Sequence, residues 1–306
     1  MTWLAKLLAI SCLPLVTASC GPCRSGDDEE VSRCLQHLPR TTSLGVQAYL
    51  QYVQKHRIYV SLTTSPKRIK YLRLVLDTLD LEQVEKIYVA IPQKYRDKEE
   101  YGIPEYLKLW PKLEFIRTEK DLGPIMKLLP AMEKIQANED PEAILVVFDD
   151  DVGHFPGVIA KLVEMAVSEN SVVGGCGFDV SHWGIERAVY WPQKEQLVGL
   201  NRDVLEGRCG IAYQVKFVSV ARMLELSQTG ADKACKTSDD IIINYVLAEQ
   251  SISRKIISPT FIDTIRHYNY GQQEDALHKG SGYAKTNYEN SDRYQCCLKN
   301  ISEGSR

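Results

Sequence analysis

The chain has little excess charge of either sign and no long basic stripe: 37 Lys and Arg face 40 Asp and Glu, for a net charge of -3. That balance excludes a general nucleic-acid binder, so any phosphate must be met by a local cluster. It has no internal repeat, which removes the solenoid and propeller architectures. Its N-terminal apolar run, residues 7–16, is too short for a comfortable membrane span. What remains is ordinary globular material: 306 residues, 44% hydrophobic and 25% charged, enough for one large domain or two small ones.

Met1 to Cys20 have the layout of a secretory signal peptide, with Lys6 ahead of the apolar run and Thr17-Ala18-Ser19 at its end. We assign residues 1–19 to it, with an uncleaved short anchor as the rival reading and a lipid-modified Cys20 as a third, which Thr17 fits poorly. A membrane would be met only through that segment if it is retained. The chain has nine cysteines, at 12, 20, 23, 34, 176, 209, 235, 296 and 297, and removing Cys12 with the leader leaves eight. An even remainder is compatible with disulfides in an oxidising compartment: a secretory lumen such as Golgi or ER, the exterior, or a bacterial periplasm. The pairing stays open, and Cys20-x-x-Cys23 has no second ligand pair that would make a zinc site. Asn300-Ile301-Ser302 is a formal N-glycosylation sequon.

Residues 20–56 bear cysteines, are acidic around Asp27, and lack a period, as in a stem or cap. From Arg57 the pattern changes. Ile58, Val60 and Leu62 alternate as a strand; Leu72, Val75, Leu76 and Leu79 then repeat at helical spacing. Further strands are expected at 86–91, 112–116, 143–148 and 171–174, with a helix at 157–167. Alternating strands and helices predict a mostly parallel α/β sheet. The second half is less regular, with a strand at 210–218, a helix near 221–226 and a periodic run at 239–250. The stretch 268–306, rich in Gly, Asn, Tyr and Ser, is expected to wrap the surface or close over a site.

Asp149-Asp150-Asp151 ends the apolar run Ala143-Ile144-Leu145-Val146-Val147-Phe148. Six apolar residues read as a strand covered on both faces, and ligands of parallel sheets gather at the carboxyl ends of such strands. Asp149 and Asp151 point the same way if strand geometry persists. Hard oxygen donors of this kind suit Mg²⁺ or Mn²⁺ with a phosphate-bearing substrate.

Three other segments share the direction: Leu62-Thr63-Thr64-Ser65-Pro66-Lys67-Arg68-Ile69, Asp121-Leu122-Gly123-Pro124-Ile125-Met126-Lys127-Leu128, and Ser238-Asp239-Asp240-Ile241. Together with the Asp-x-Asp, 89 residues beyond the first strand (149 minus 60), they resemble the GT-A glycosyltransferases over residues 57–278. The resemblance implies a Rossmann-like, mostly parallel sheet flanked by helices, with an irregular acceptor-side second half, a catalytic domain at 57–280 and a tail at 281–306. It implies a metal-dependent transfer of sugar from a nucleotide-diphosphate sugar to a glycan, protein or lipid hydroxyl, inverting if an acidic pair supplies the base, with a retaining outcome the open alternative. Asp149 would lie near the ribose and, with Asp151, at Mn²⁺ or Mg²⁺; Asp150, Thr63, Thr64, Arg68, Asp121 and Lys127 would line the nucleotide. Asp239 and Asp240 would form the catalytic pair, with Asp240 the general base. His278 is the favoured third metal ligand over His267.

Each residue also has a plain structural use. The threonines would cap a helix, Arg68 would sit in solvent, Lys127 would pair with an acid of the site or sit in solvent, and Asp239 and Asp240 would cap the helix they open. Trp183 and Trp191 would stack on a sugar or pack in the core, and Ser181 to Gly184 with Gly207 to Gly210 would flank the acceptor. Two other functions compete. A haloacid-dehalogenase-like phosphatase also has an Asp-x-Asp after an apolar strand, but wants Thr or Val where this chain has Gly153. A non-catalytic secreted carbohydrate-binding relative would not need both acidic clusters.

Overall fold

A computed structural model describes residues 55–96, 98–154, 157–179, 203–228, 235–257, 266–267, 294 and 296–301. As the alternation predicts, the fold is mixed α/β around one mostly parallel sheet. The seven strands are β1 (Ile58–Thr63), β2 (Lys86–Pro92), β3 (Leu113–Thr118), β4 (Ile144–Val147), β6 (Val172–Gly174), β9 (Ile211–Gln214) and β10 (Arg254–Ile256), in the order β10-β6-β9-β4-β1-β2-β3. Only β9 is reversed: it runs antiparallel to both β4 and β6, while β1, β2, β3 and β4 pair in parallel and β6 pairs in parallel with β10. Two short ribbons flank it. β5 (Val152–Gly153) pairs with β11 (Arg266–His267), and β7 (Gly177–Phe178) with β8 (Val204–Leu205).

β4 lies between β1 and β9 with all four residues buried, which accounts for its uninterrupted apolar run. The helices follow from their apolar faces. α1 is Leu72–Leu76 and α2 is Glu105–Lys108. α3 (Leu129–Ala137) packs on β2 and β3. α4 (Val158–Ser168) lays Val158, Ile159, Leu162, Val163, Met165 and Ala166 against β4, β9 and β6, the spacing of one helical face. α5 (Val220–Ser227) packs on α6 (Asp239–Glu249). Among the described residues no helix is long and apolar enough to cross a membrane.

Two expected elements come out shorter. The strand expected to Val218 stops at Gln214, because the Gln136 side-chain amide donates to the carbonyls of Val215 (3.3 Å) and Val218 (2.7 Å) and holds residues 215–217 in a 3-10 turn. The first helix ends early where the Thr78 hydroxyl donates to the Val75 carbonyl at 2.7 Å and accepts the His154 N–H at 3.0 Å.

Disulfides join Cys176 to Cys209 and Cys235 to Cys297. The second brings the C-terminal residues into the core, where Tyr294, Cys297 and Ile301 are buried. Asn300 of the sequon lies in the helical stretch 296–301 and is half-buried. The leader, nearly all of the 20–56 segment and its cysteines lie outside the described residues.

Candidate functional site

From β1 the chain builds outward through β2 to β3, then returns to lay β4 on the other side of β1. A crevice opens at such a reversal, outside the carboxyl ends of the two strands, and it is where open α/β sheets bind ligands. Here those ends carry Thr63 to Arg68 on one side and Asp149 to Asp151 on the other.

Strand geometry does not persist into the triplet. β4 ends at Val147 and Asp150 and Asp151 lie in a turn, so the partners divide differently from a simple alternation. Asp150 and Asp151 share one cation, Arg68, at 2.8 and 3.1 Å. Asp149 takes a different cation, the Lys127 ammonium, at 2.7 Å. Burial pushes the Asp150 carboxyl up to about 7 despite Arg68. Asp149 ends below the usual carboxylate range: burial raises it, but the charge and hydrogen bond of Lys127, with the charge of Arg68, together more than offset that.

Lys127 is itself buried, and reaches Asp239 at 2.9 Å as well as Asp149. Burial alone would lower its pKa, yet Asp149, Asp239 and Asp240 together hold it well above the ordinary lysine value. One ammonium thus joins the end of β4 to the start of α6. Two glycines make this possible. Gly123 has φ +79° and lies against the Lys236 carbonyl, where no side chain fits, so the chain can turn sharply into the 3-10 segment Gly123–Lys127. Gly207 lies directly over Lys127, and a Cβ there would overlap the ammonium.

Asp240 sits beside this bridge without joining it. Its Oδ1 accepts the Gly207 N–H at 3.1 Å, and its Oδ2 lies 3.5 Å from the Tyr294 hydroxyl. It keeps some exposed surface yet is densely surrounded, and burial, with the charge of Asp239 next, raises its pKa to about 8. Asn244, one turn further along α6, donates to the Asp240 carbonyl at 2.7 Å and to the Leu205 carbonyl at 3.0 Å, and accepts the Leu205 N–H at 3.0 Å. It docks the 204–207 strip onto the helix.

No protein-family model and no curated protein matches this chain. Among solved structures it is similar to a crystal structure of GalNAc-T7 with UDP, GalNAc and Mn²⁺, at 13% identity and a TM-score of 0.43. The match covers 67% of this chain and 42% of that one, so this chain spans less than half of the neighbour's length. At that TM-score the likeness is too loose to carry a functional role across.

The crevice brings together Arg68, Lys127, Asp149, Asp150, Asp151, Asp239 and Asp240. The remaining sequence candidates fall around it. Thr63 does not cap a helix: its hydroxyl donates to the Ala90 carbonyl of β2 at 2.7 Å. Thr64 is buried, and its carbonyl accepts the Tyr101 hydroxyl at 2.9 Å. Asp121 holds the main chain, accepting the N–H groups of Arg96 and Gly123, each at 2.8 Å. His278, Trp183 and Trp191 lie outside the described residues. The main chain of His267 pairs with Val152, one residue past the triplet. Sequence reasoning missed Asn244 and Tyr294. A lone polar residue after Ile241-Ile242-Ile243 was the available signal for Asn244, whereas Tyr294 had none.

A divalent cation fits the chemistry of this donor set. Four carboxyl groups, Asp149, Asp150, Asp151 and Asp239, share two cations, Arg68 and Lys127, which leaves hard oxygen donors in excess of the cations that meet them. Among the described residues no group of three His, Cys, Asp or Glu converges on one point. Among the described residues an ion here would therefore meet two carboxylates at most.

Proposed function

We propose that this protein is a glycosyltransferase that takes a sugar from a nucleotide-diphosphate donor and passes it, with inversion, to a hydroxyl acceptor. The observation that carries the reading is the division of the crevice: a cation-dressed acidic triplet at the switch point of the sheet, and a separate carboxylate, Asp240, poised near neutral pH beside it.

The donor half would bind the nucleotide at the ends of β1 and β4. Asp151 and Asp149 would hold Mn²⁺ or Mg²⁺, with water and diphosphate oxygens filling the remaining positions and His278 or His267 the candidate extra ligand. Such an ion offsets the negative charge that gathers on a departing diphosphate. Arg68, already at the triplet, would position a phosphate oxygen.

Asp240 would take the proton from the acceptor hydroxyl. A base works best when its pKa lies near the working pH, and burial beside Asp239 pushes Asp240 up to about 8. Asp239 cannot share the task while its carboxylate is held on Lys127. The acceptor would be a glycan, protein or lipid hydroxyl, and the two disulfides support a setting in an oxidising secretory lumen.

The test is a thermal-shift and calorimetry panel of nucleoside diphosphates and nucleotide sugars, with and without Mn²⁺. Wild type should bind at least one nucleoside diphosphate in a Mn²⁺-dependent way, and Asp151→Ala should lose that binding while remaining folded. Equal affinity in the variant would overturn the metal assignment, and no binding by wild type would overturn the reading.

A further inference from the structure

The two hydrogen-bond partners of the Asp240 carboxyl lie outside the strands of the main sheet. Gly207, which donates to Oδ1, belongs to a 3-10 turn (Gly207–Cys209) that follows the two-residue strand β8. Tyr294, whose hydroxyl is 3.5 Å from Oδ2, comes from the C-terminal stretch and stacks on Phe178, with ring centroids 5.8 Å apart and planes 11° from parallel. Each segment carries its own covalent bridge. Cys209 closes the Gly207 turn and is joined to Cys176, beyond the end of β6. Cys297, one helical turn past Tyr294, is joined to Cys235, in the 3-10 turn (Cys235–Thr237) leading into Asp239 and Asp240. Thus one bridge stands behind each oxygen of the same carboxylate.

We propose that Gly207 and Tyr294 are the positioning groups of Asp240, and that the two disulfides hold them there, so that the acceptor half of the site assembles only in the oxidised chain. The catalytic meaning of this rests on Asp240 being the base, whereas the bracing itself does not. Strands of two or three residues cannot fix a main-chain N–H against a carboxylate unaided. A bridge limits how far the attached segment can move, since two Cα atoms joined this way stay within about 7 Å. Here the Cα separations are 5.6 and 4.7 Å. A dithiol that reduced either bridge would pass two electrons to the S–S bond, leaving two thiols on the protein and closing to its own cyclic disulfide. The bracing would then be lost while β1, β2 and β4, which carry no cysteine, kept the donor half.

Three variants of the full chain test this: Cys176→Ser with Cys209→Ser, Cys235→Ser with Cys297→Ser, and Tyr294→Phe. Each is compared with wild type by amide hydrogen exchange, by calorimetry with uridine diphosphate and Mn²⁺, and by turnover of the nucleotide sugar that wild type accepts. In the first pair the Gly207 amide should exchange at least about tenfold faster while β1, β2 and β4 keep their protection, a local opening rather than global unfolding. Nucleotide affinity should stay within about twofold of wild type in all three, and kcat should fall with the donor KM unchanged. Tyr294→Phe keeps both bridges and the ring stack, so it tests the contact even where a bridge variant does not fold. Unchanged Gly207 exchange in the first pair, or wild-type kcat in Tyr294→Phe, would overturn the proposal. If wild type binds no uridine diphosphate, that bears on the functional reading, and Gly207 exchange still decides the bracing.

Discussion

The two halves of the crevice are built by different means. On the donor side β1, β2 and β3 are six, seven and six residues long and pair in continuous parallel register. On the acceptor side β6, β7, β8 and β10 have two or three residues each, and both disulfides lie there. Backbone ladders and buried Val, Ile and Leu position Arg68 and the triplet. Cross-links and side-chain clasps such as Asn244 position Asp240. Lys127 touches both halves, through Asp149 and Asp239.

The sharpest way to break this arrangement is to remove that shared cation. Lys127→Met leaves Asp149 and Asp239 facing each other without compensation, and losing one partner of a buried ion pair costs about 3–5 kcal/mol. Urea unfolding should report that loss; a change under about 1 kcal/mol would mean that the bridge is not a structural link. Next come the cross-links. Opening Cys235–Cys297, with a sequence separation of 62, should cost about 4 kcal/mol, and opening Cys176–Cys209, with a separation of 33, about half a kcal/mol less. A reversed order would show that strain or residual structure outweighs loop length. Gly207→Ala then tests the close approach over Lys127: a Cβ forced onto the ammonium should cost about 1–3 kcal/mol by thermal melts, whereas an exposed glycine would tolerate alanine.

The smallest effect per step is the pH dependence. Burial raises Asp240 from 3.8 to about 8, so between these values the folded chain holds a proton that the unfolded chain has released. Its contribution therefore favours the folded state at the acid end and is lost as pH rises, by at most about 1.4 kcal/mol per pH unit. Asp240→Asn should gain stability relative to wild type as pH climbs from 4 to 8. A difference that shrinks over that window would contradict the raised pKa.

How far the sequence could be read follows the same division. β1, β2, β4, α4 and α6 were legible because long buried segments leave continuous or periodic apolar runs. The reversal of β9 was not, since Ile211-Ala212-Tyr213-Gln214 is buried throughout and periodicity carries no sign of strand direction. β10 and β11, at three and two residues, are too short to leave a pattern. The acidic residues of the crevice could be named from sequence, and Lys127 as a candidate partner for an acid among them, but not which carboxylates it would join. Lys127 meets carboxylates 22 and 112 positions away (149 minus 127, 239 minus 127), a juxtaposition that only the sheet creates. The bridges to Cys209 and Cys297 were equally hidden, because cysteine counts do not specify pairing.

The central claim is that donor binding and proton abstraction belong to separate halves, and Asp240→Asn tests it most directly. The amide is nearly isosteric and can still accept from Gly207, so nucleoside diphosphate affinity with Mn²⁺ should match wild type. Turnover of the accepted nucleotide sugar should fall by roughly two to four powers of ten, with inverted anomeric configuration in the residual product by NMR. Wild-type turnover, a matching loss of nucleotide affinity, or a product that retains the donor configuration would contradict the account.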